Sequence, residues 1–407
     1  MAREISSVVV VGAGLAGSRT VAALRQQGFA GRITVLGREA TRGYDRPPLS
    51  KELLSRSEPA WFHDDLGLDI AALADEVVLG DAAVSLVPAS GPPGPRTVVT
   101  RQDRHLTADV VVLAVGSAPV RVPGWERALV LGTADDAALL RDRLSRARSL
   151  VVVGAGWIGA EVAGVAAGAG CDVTVVEAFE APLTAALGAP VGRRLVPWYA
   201  QAGVRLRTAA SVGAVGEDGV RLTSGEVVEA DVVLSAVGAR PDTEWLRGTA
   251  PLTEHGGIPT DGAGRVVAAD DGGLFAVGDC AVRQDPAWGA VPAGHWSAAL
   301  HDPELVAHAI LDAEPPPAHV PYVFSTQLGH DLGLVGLADP LDHVVTRGED
   351  GTPGWSVAYL RDGLLRAVLA ADRPREVIAA RKVLRAGPAP IDAAALADGA
   401  SLRDAIG

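Results

Sequence analysis

The sequence contains little cysteine and no long apolar run. Its 407 residues include two cysteines, Cys171 and Cys280. Two are too few for a disulfide framework or a zinc site, and they do not form a C-x-x-C redox pair. We therefore interpret both as reduced thiols of the protein core. No apolar run approaches the roughly 18 residues of a membrane span, and residues 1–7 lead directly into a predicted strand. These features predict a cytoplasmic protein without a membrane partner.

Positive charge is also scarce. The formal net charge is −13, which argues against nucleic acid as a partner because no basic surplus exists to displace counterions. Only two of the 36 basic residues are lysines, Lys51 and Lys382. A position that keeps an ammonium group against such a bias indicates a need for a compact, flexible charge. Lys51 is therefore a candidate functional residue.

The chain begins with a glycine-rich loop after a predicted strand. Residues 8–11 are four valines, typical of a strand of a parallel sheet that is buried on both faces. Gly12, Gly14 and Gly17 follow with the spacing G-x-G-x-x-G, which allows a backbone to approach a pyrophosphate at a helix N-terminus. Taken alone, this pattern is also found in ordinary strand–helix turns.

A second unit of the same kind begins at residue 149. It has a buried strand, glycines at Gly154, Gly156 and Gly159, a helix, and a strand that ends before Glu177. Two such units in one chain predict two bound dinucleotides. An acid at the position of Glu177 accepts hydrogen bonds from ribose hydroxyls and repels a 2′-phosphate, which favours NADH over NADPH.

Other segments carry candidate contacts for these ligands. After the second strand of the first unit, Glu39 has the charge expected of a ribose-binding acid, whereas Arg38 does not. Asp279 ends a last apolar strand, where its carboxylate can bind a polyol. In the segment GYDRPPLSK (residues 43–51), we predict a helix beginning at Leu49 with Ser50 near its N-cap.

Several motifs together resemble one family. They are GAGLAG (residues 12–17), YDRPPLSK (44–51), GAGWIGAE (154–161), AVGARPD (236–242), AVGDCA (276–281) and HWSAA (295–299). The chain is identified as similar to the FAD-dependent, NADH-linked ferredoxin reductases of the glutathione-reductase type, which serve bacterial cytochromes P450 and Rieske dioxygenases. The resemblance implies an α/β fold with two nested Rossmann-like domains. Residues 1–110 and 236–317 would bind FAD, residues 111–235 NADH, and residues 318–407 would form a small α+β domain.

The resemblance also implies an activity. Electrons would pass from NADH through FAD to a small [2Fe–2S] or other ferredoxin, and from there to a P450 or Rieske-type oxygenase. Two alternatives remain: an NADH oxidase on the same fold, and a regulatory protein of that fold that binds flavin weakly. An acidic ferredoxin needs a basic patch, for which Arg373, Arg375, Arg381, Lys382 and Arg385 are candidates, although a solvated helix face is the favoured interpretation.

The resemblance assigns roles to individual residues. Lys51 would lie beside the flavin N5 edge, ion-paired with Glu161, and these two are the expected catalytic residues. The expected FAD contacts are Gly12, Gly14, Leu15, Ala16, Gly17, Arg38, Glu39, Arg46, Lys51, Val84, Ala114, Gly116, Gly278, Asp279, His295 and Trp296. The expected NADH contacts are Gly154, Gly156, Trp157, Ile158, Gly159, Glu177 and Gly238. No metal site is expected.

The chain departs from the family pattern around the first loop. Arg38 stands where an acid is expected, Gly132 where an arginine is expected, and Val115 where a threonine is expected. Phe324 replaces a tryptophan near the start of the third domain. These substitutions predict altered contacts to FAD and to the partner rather than an altered fold.

Overall fold

A computed structural model describes residues 5–406 apart from 90, 92–93, 269–271, 293, 295, 318 and 349–353. Its strands are β1 (Ser7–Val11), β2 (Arg32–Gly37), β3 (Tyr44–Asp45), β4 (Ala60–Trp61), β5 (Glu76–Leu79), β6 (Ala83–Val87), β7 (Arg96–Thr100), β8 (His105–Ala108), β9 (Val110–Leu113), β10 (Ser117–Pro119), β11 (Ser149–Val153), β12 (Asp172–Val176), β13 (Arg205–Arg207), β14 (Val212–Val215), β15 (Gly219–Leu222), β16 (Val227–Glu229), β17 (Val232–Ser235), β18 (Ala239–Pro241), β19 (Ile258–Thr260), β20 (Leu274–Ala276), β21 (Ala281–Asp285), β22 (Gly289–Val291), β23 (Tyr322–Gln327), β24 (His330–Gly336), β25 (His343–Arg347), β26 (Trp355–Arg361), β27 (Leu364–Ala371) and β28 (Ala389–Pro390). Its α-helices are α1 (Leu15–Gln26), α2 (Pro48–Lys51), α3 (Phe62–Leu66), α4 (Ile70–Leu73), α5 (Ala134–Leu144), α6 (Trp157–Gly168), α7 (Thr184–Leu187), α8 (Ala189–Gln201), α9 (Trp296–Ile310), α10 (Pro374–Val383) and α11 (Ala393–Ala397).

The chain divides into two compact units, each assembled from three segments. Unit 1 comprises residues 1–45, 60–118 and 240–321, and unit 2 comprises residues 46–59, 119–239 and 322–407. Both units are therefore discontinuous in sequence. The predicted division into three domains with other boundaries stays a prediction.

Unit 1 is built on a parallel sheet with the strand order β20-β9-β1-β2-β5. The central strand β1 pairs with β2 and β9, and Val11 lies opposite both Leu36 and Leu113. Its side chains alternate between two apolar clusters, Val8 and Val10 in one and Val9 and Val11 in the other. This confirms the prediction of a strand buried on both faces, since only such a strand tolerates an unbroken valine run.

Helices and smaller sheets pack around this sheet in unit 1. Helix α1 returns from the first glycine loop and packs against α9, with Val21 and Leu24 fully buried. Strands β6, β7 and β8 form an antiparallel sheet, and β19, β21 and β22 form another sheet. Cys280 is buried among the apolar residues of this unit.

Unit 2 repeats the first pattern and adds an antiparallel sheet. Its parallel sheet has the order β13-β12-β11-β17, and β11 alternates in the same way, with Val152 in one cluster and Val151 in another. The second sheet, β23-β24-β27-β26-β25 with β28 beside β27, is antiparallel and carries α10. Apolar side chains of both sheets, among them Val152 and Val357, belong to one buried cluster.

These elements confirm the predicted α/β fold with two Rossmann-like sheets and a C-terminal α+β region. One local prediction was wrong by one residue. Helix α2 begins at Pro48 with Pro47 as its N-cap, so Ser50 lies inside the helix and not at its cap. Proline fits the first turn because its fixed φ matches the helix and no N–H is needed there.

Within the part of the chain that the structure describes, no helix has both the length and the apolar character to cross a bilayer.

Candidate functional site

The two glycine loops have the same backbone construction. Gly12 and Gly154 have φ of +123° and +105°, a region that residues with a Cβ rarely adopt. A Cβ at Gly12 would lie 2.1 Å from the Ala114 carbonyl oxygen, and one at Gly154 would lie 2.5 Å from that of Ala236. The sequence therefore needs glycine at both positions so that each loop can turn beside the neighbouring strand.

The second glycine of each loop leaves space for a ligand. A Cβ added at Gly14 or at Gly156 would meet no heavy atom within 4 Å. Each of these glycines is the N-cap of the following helix, α1 or α6, and neither helix has an acidic residue in its first turn. Free N–H groups and the helix dipole therefore favour an anion such as a pyrophosphate at both places. Both loops fit the predicted dinucleotides.

The residues after β2 make side-chain contacts within unit 1. Arg38 forms an ion pair with Asp242, and Glu39 accepts a hydrogen bond of 2.5 Å from the Tyr44 hydroxyl. Asp242 is a partner that sequence reasoning missed, since it lies 204 positions away. The predicted ribose contact of Glu39 and the predicted FAD contact of Arg38 stay predictions.

Other predicted FAD contacts lie near the carboxyl ends of the same sheet. Ala114 and Gly116 follow β9, and Asp279 follows β20 and accepts a hydrogen bond of 3.2 Å from Ser117. A Cβ at Gly278 would lie 2.7 Å from the Cβ of Ala16, so Gly278 allows close packing against α1. Leu15, Ala16 and Gly17 form the first turn of that helix.

Two further predicted contacts have distinct local structure. Val84 lies at a register shift between β6 and β7 and is 42% exposed, which leaves its backbone outside the regular ladder. The Trp296 indole at the start of α9 donates a hydrogen bond of 3.0 Å to Asp45. His295 lies outside the described residues.

Glu177 supports the second loop directly. Its Oε2 accepts a hydrogen bond of 2.7 Å from the Ala155 N–H, and its Oε1 accepts one of 2.8 Å from the Phe179 N–H. The side chain is buried and lies directly after β12. Glu177 therefore orients the loop in addition to the ligand role predicted for it.

A second cluster in unit 2 surrounds Glu161 on α6. Its carboxylate is 3% exposed and accepts a hydrogen bond of 2.6 Å from the Lys51 ammonium group. The Ser50 hydroxyl donates to Oε2 and the Ser325 hydroxyl donates to Oε1. Gln327 in turn donates to the Ser325 oxygen at 3.0 Å. We call these five residues the Glu161 cluster.

Phe324 covers one side of this cluster. The Lys51 ammonium nitrogen lies 4.9 Å from the centre of the Phe324 ring, a cation–π distance. The structure therefore confirms the predicted contact between Lys51 and Glu161. Sequence reasoning missed Ser325 and Gln327. Their alternation with Phe324 along β23 was the available signal, because it places both on the buried face.

Other predicted positions also belong to unit 2. Arg46 donates a hydrogen bond to the Gly132 carbonyl, where the family pattern has an arginine side chain. Trp157 is half-buried and Ile158 is 42% exposed at the start of α6. Gly238 has φ of +115°, and its carbonyl accepts a hydrogen bond from Val120.

Neither cysteine has the character of a redox thiol. Both are free, and burial raises the pKa of the Cys280 thiol to about 11. Burial, with the nearby Asp172, also raises the pKa of Cys171. The thiols therefore stay protonated at neutral pH and are poor nucleophiles. Among the described residues no group of three or more acidic, histidine or cysteine side chains could hold a metal ion.

Comparison with known proteins agrees with this arrangement. Residues 6–313 match the pyridine nucleotide-disulphide oxidoreductase family, and residues 322–406 match the reductase C-terminal domain. The chain belongs to this oxidoreductase family. It is 32% identical over 426 residues to the ferredoxin–NAD(+) reductase component of the biphenyl dioxygenase system of Paraburkholderia xenovorans (strain LB400), covering 99% of this chain and 98% of that protein.

Two solved structures of the family superpose over nearly the full chain. One is putidaredoxin reductase in its covalent complex with putidaredoxin, with a TM-score of 0.86 and 26% identity, covering 97% of this chain and 96% of the other. The second is the ferredoxin reductase for the CYP199A2 system from Rhodopseudomonas palustris, with a TM-score of 0.84 and 26% identity, covering 93% and 94%. These findings confirm the family predicted from the motifs.

Proposed function

We propose that this protein is an FAD-dependent ferredoxin–NAD⁺ reductase that delivers electrons from NADH to a small iron–sulfur protein of a P450 or Rieske-type oxygenase system. The observation that carries the proposal is the pair of glycine loops, each with open space beside its second glycine. Two dinucleotide sites in one chain are what an enzyme needs to bind both FAD and a nicotinamide adenine dinucleotide. The ferredoxin reductases to which the chain is similar over almost its whole length indicate that the electron acceptor is a ferredoxin.

The first loop would hold FAD and the second NADH. In unit 1, the N–H groups at the start of α1 would bind the pyrophosphate, and the Asp279 carboxylate would accept hydrogen bonds from the ribityl hydroxyls. FAD, when bound, supplies the ability to take two electrons as a hydride and to release them singly. The chain needs no acid–base residue for this and contributes mainly binding and orientation.

The second loop would orient the nicotinamide cofactor. The N–H groups at the start of α6 would bind its pyrophosphate. Glu177, already fixed by two backbone N–H groups, keeps acceptor capacity for ribose hydroxyls and carries the charge that disfavours a 2′-phosphate. This supports NADH rather than NADPH as the donor.

The Glu161 cluster would hold a cation in a defined place. Two hydroxyl groups hold the buried Glu161 carboxylate, which in turn accepts a hydrogen bond from the Lys51 ammonium group. A fixed positive charge stabilises negative charge that develops in a reaction without a further cost of reorganisation. We propose this electrostatic role for Lys51 in flavin reduction.

A reconstitution assay tests the proposal. The purified protein should bind FAD, show the visible flavin spectrum, and lose that spectrum anaerobically when NADH is added. Cytochrome c reduction should then require an added ferredoxin. Rapid reoxidation by air with no response to any ferredoxin would instead support an NADH oxidase. Failure to bind FAD would support the regulatory alternative.

A second assay tests the donor. In Glu177→Gln the side chain keeps one acceptor oxygen for the loop and loses its charge. The ratio of kcat/KM for NADH to that for NADPH should fall by about tenfold, or about 1.4 kcal/mol. An unchanged ratio would contradict the proposed role of Glu177.

A further inference from the structure

One ion pair in unit 1 spans the edge of the sheet where the first glycine loop begins. Arg38 follows β2, the neighbour of β1 on one side. Asp242 is attached to the other side, because its N–H donates a hydrogen bond of 3.0 Å to the carbonyl of Gly116, just beyond β9. Strand β1 lies between β2 and β9 and leads into Gly12. The Arg38–Asp242 pair therefore crosses the carboxyl end of β1.

This edge is where the fold places its ligand. In open parallel sheets, ligands bind outside the carboxyl ends of the strands, and the pyrophosphate lies at the glycine loop. The open space beside Gly14 belongs to the same edge. A bond from one flanking strand to the other consequently lies across the mouth of the predicted FAD crevice.

The two partners differ in how firmly they are held. The Asp242 main chain is fixed at both its N–H, by Gly116, and its carbonyl, which accepts a hydrogen bond of 3.1 Å from the Trp245 indole. The Arg38 side chain is 47% exposed and Asp242 is 33% exposed. The long, flexible arginine can therefore swing away from a stationary carboxylate.

We propose that Arg38 and Asp242 form a latch across the FAD crevice, which opens when FAD binds or leaves and closes otherwise. This inference rests on the proposed function. An arginine at this position donates hydrogen bonds and accepts none, so it cannot replace the acid expected at a ribose. Its ion pair with Asp242 gives the substitution a different purpose, which is to control the exchange of the cofactor.

A latch has a kinetic signature that a simple contact lacks. A direct contact with FAD slows only its release, whereas a latch slows binding and release together. Exposed ion pairs contribute up to about 1 kcal/mol. Removing the Arg38–Asp242 pair by substitution should therefore accelerate both FAD binding and FAD release by about two- to fivefold, the rate change that corresponds to such an energy. The effect should disappear at about 1 M salt, where the Debye length is about 3 Å.

The experiment measures both rate constants on the full chain. FAD binding to the apoprotein is followed by flavin fluorescence, and FAD release from the holoprotein is followed by transfer to an excess of another apoflavoprotein. The variants are Arg38→Gln, Asp242→Asn and their combination. The control is Arg247→Gln, which breaks an exposed ion pair with Glu244 in the same unit, at 2.7 Å.

We expect both rate constants to rise in each single variant and the double variant to match the single ones. The charge-reversed double variant, Arg38→Asp with Asp242→Arg, should restore slow FAD binding and release. That result would also show that substitutions at these two positions leave the protein folded. Rates equal to those of the control overturn the latch. A rise in release alone also overturns it, in favour of a direct contact. If the wild-type protein binds no FAD, the proposed function fails, and the latch fails with it.

Discussion

Glu161 is a buried carboxylate whose two oxygens accept hydrogen bonds from side chains in distant parts of the sequence. A charged group at 3% exposure is destabilising unless it is paired and hydrogen-bonded. Lys51 supplies the charge, and Ser50 and Ser325 supply hydroxyl donors. The arrangement positions an ammonium group more rigidly than a surface ion pair would, since the carboxylate itself cannot rotate freely.

Replacing Lys51 tests its role in flavin reduction. In Lys51→Met, flavin reduction by NADH should slow by at least about tenfold, which corresponds to about 1.4 kcal/mol of activation free energy. FAD should remain bound. Anaerobic stopped-flow absorbance measures the reduction rate.

The chain offers a matched control for this change. Lys382, the other lysine, is exposed on α10, and Lys382→Met should leave the rate of flavin reduction unchanged. If both variants reduce FAD as fast as the wild type, Lys51 has no part in that step. A thermal unfolding curve of Lys51→Met checks that the unpaired Glu161 has not unfolded the protein.

The sequence predicted the two glycine turns, the place of Glu177 after a buried strand, and the contact between Lys51 and Glu161. Each of these belongs to a local pattern or to a family motif. It did not predict that Arg38 pairs with Asp242, or that Ser325 reaches Glu161. These contacts join residues that are far apart in the sequence, and their geometry depends on how sheets place strand ends. The start of α2 was placed one residue too late because serine is typical of a helix N-terminus, whereas Pro47 and Pro48 already begin this helix.

At the scale of secondary-structure elements, α6 makes contacts on two of its sides. One side carries Glu161, and another side packs closely against the chain just after β23. A Cβ added at Gly164 would lie 2.8 Å from the Leu328 backbone nitrogen. The helix can approach β23 this closely only because a side chain is absent at that position.

Two glycines of α6 provide a direct test of this close packing. Gly164→Ala should destabilise the protein by about 1–3 kcal/mol, because the new methyl group meets backbone atoms that cannot move easily. Gly168→Ala, in the last turn of the same helix with no atom within 4 Å, should be neutral or stabilising by up to about 1 kcal/mol. Urea denaturation measures both, and equal effects would contradict the packing argument.

Helix α9 places Asp302 in a buried group of charged side chains. Its Oδ1 lies 3.4 Å from the Arg283 Nε and 3.2 Å from the His319 Nε2. Burial raises the pKa of Asp302 from 3.8 to about 6, and burial with the neighbouring His301 lowers the pKa of His319 from 6.5 to about 4. Asp285, which pairs with Arg283 at 2.7 Å, is the other acid facing this group.

The two shifts oppose each other in their effect on stability. From about pH 4 to about pH 6, the folded protein holds one proton on Asp302, while the unfolded chain holds one on His319. Because both states bind the same number of protons, the pair leaves the free energy of unfolding independent of pH across this interval. Each residue alone would change it in opposite directions.

Single substitutions should expose these opposite contributions. As the pH falls from 6 to 4, His319→Asn should gain stability relative to the wild type, because folded Asp302 takes up a proton that the unfolded chain does not. Asp302→Asn should lose stability, because only the unfolded chain then protonates His319. Each slope should be at most about 1.4 kcal/mol per pH unit. Urea denaturation at several pH values measures them, and slopes of the same sign would refute the pairing.

At the scale of the whole molecule, each of the two units contains, among its described residues, a parallel sheet of similar strand order that leads into its own glycine loop. The loops are so alike in backbone that geometry alone does not distinguish their ligands. Chain order and side chains distinguish the two ligands. Glu177 directly follows β12 in unit 2, whereas Arg38 directly follows β2, the equivalent strand of unit 1.

Amide hydrogen exchange read out by mass spectrometry should assign each cofactor to its unit. FAD added to the apoprotein should slow exchange in residues 12–17, because bound N–H groups are protected. NAD⁺ added to the FAD-loaded protein should then slow exchange in residues 154–159. The reverse assignment, or protection of one loop by both compounds, would contradict the proposed division of the two sites.

The three-segment construction of unit 1 affects how the protein is made on the ribosome. The parallel sheet of unit 2 uses residues 149–235, so its strands can pair as soon as this stretch has emerged. In unit 1, β20 completes the parallel sheet and α9 packs against α1. The amino-terminal strands and α1 therefore lack these partners until residue 310 has been synthesised. Exposed valine-rich strands invite aggregation during that delay. The amino-terminal strands are therefore expected to be the part of the nascent chain that depends most on chaperones.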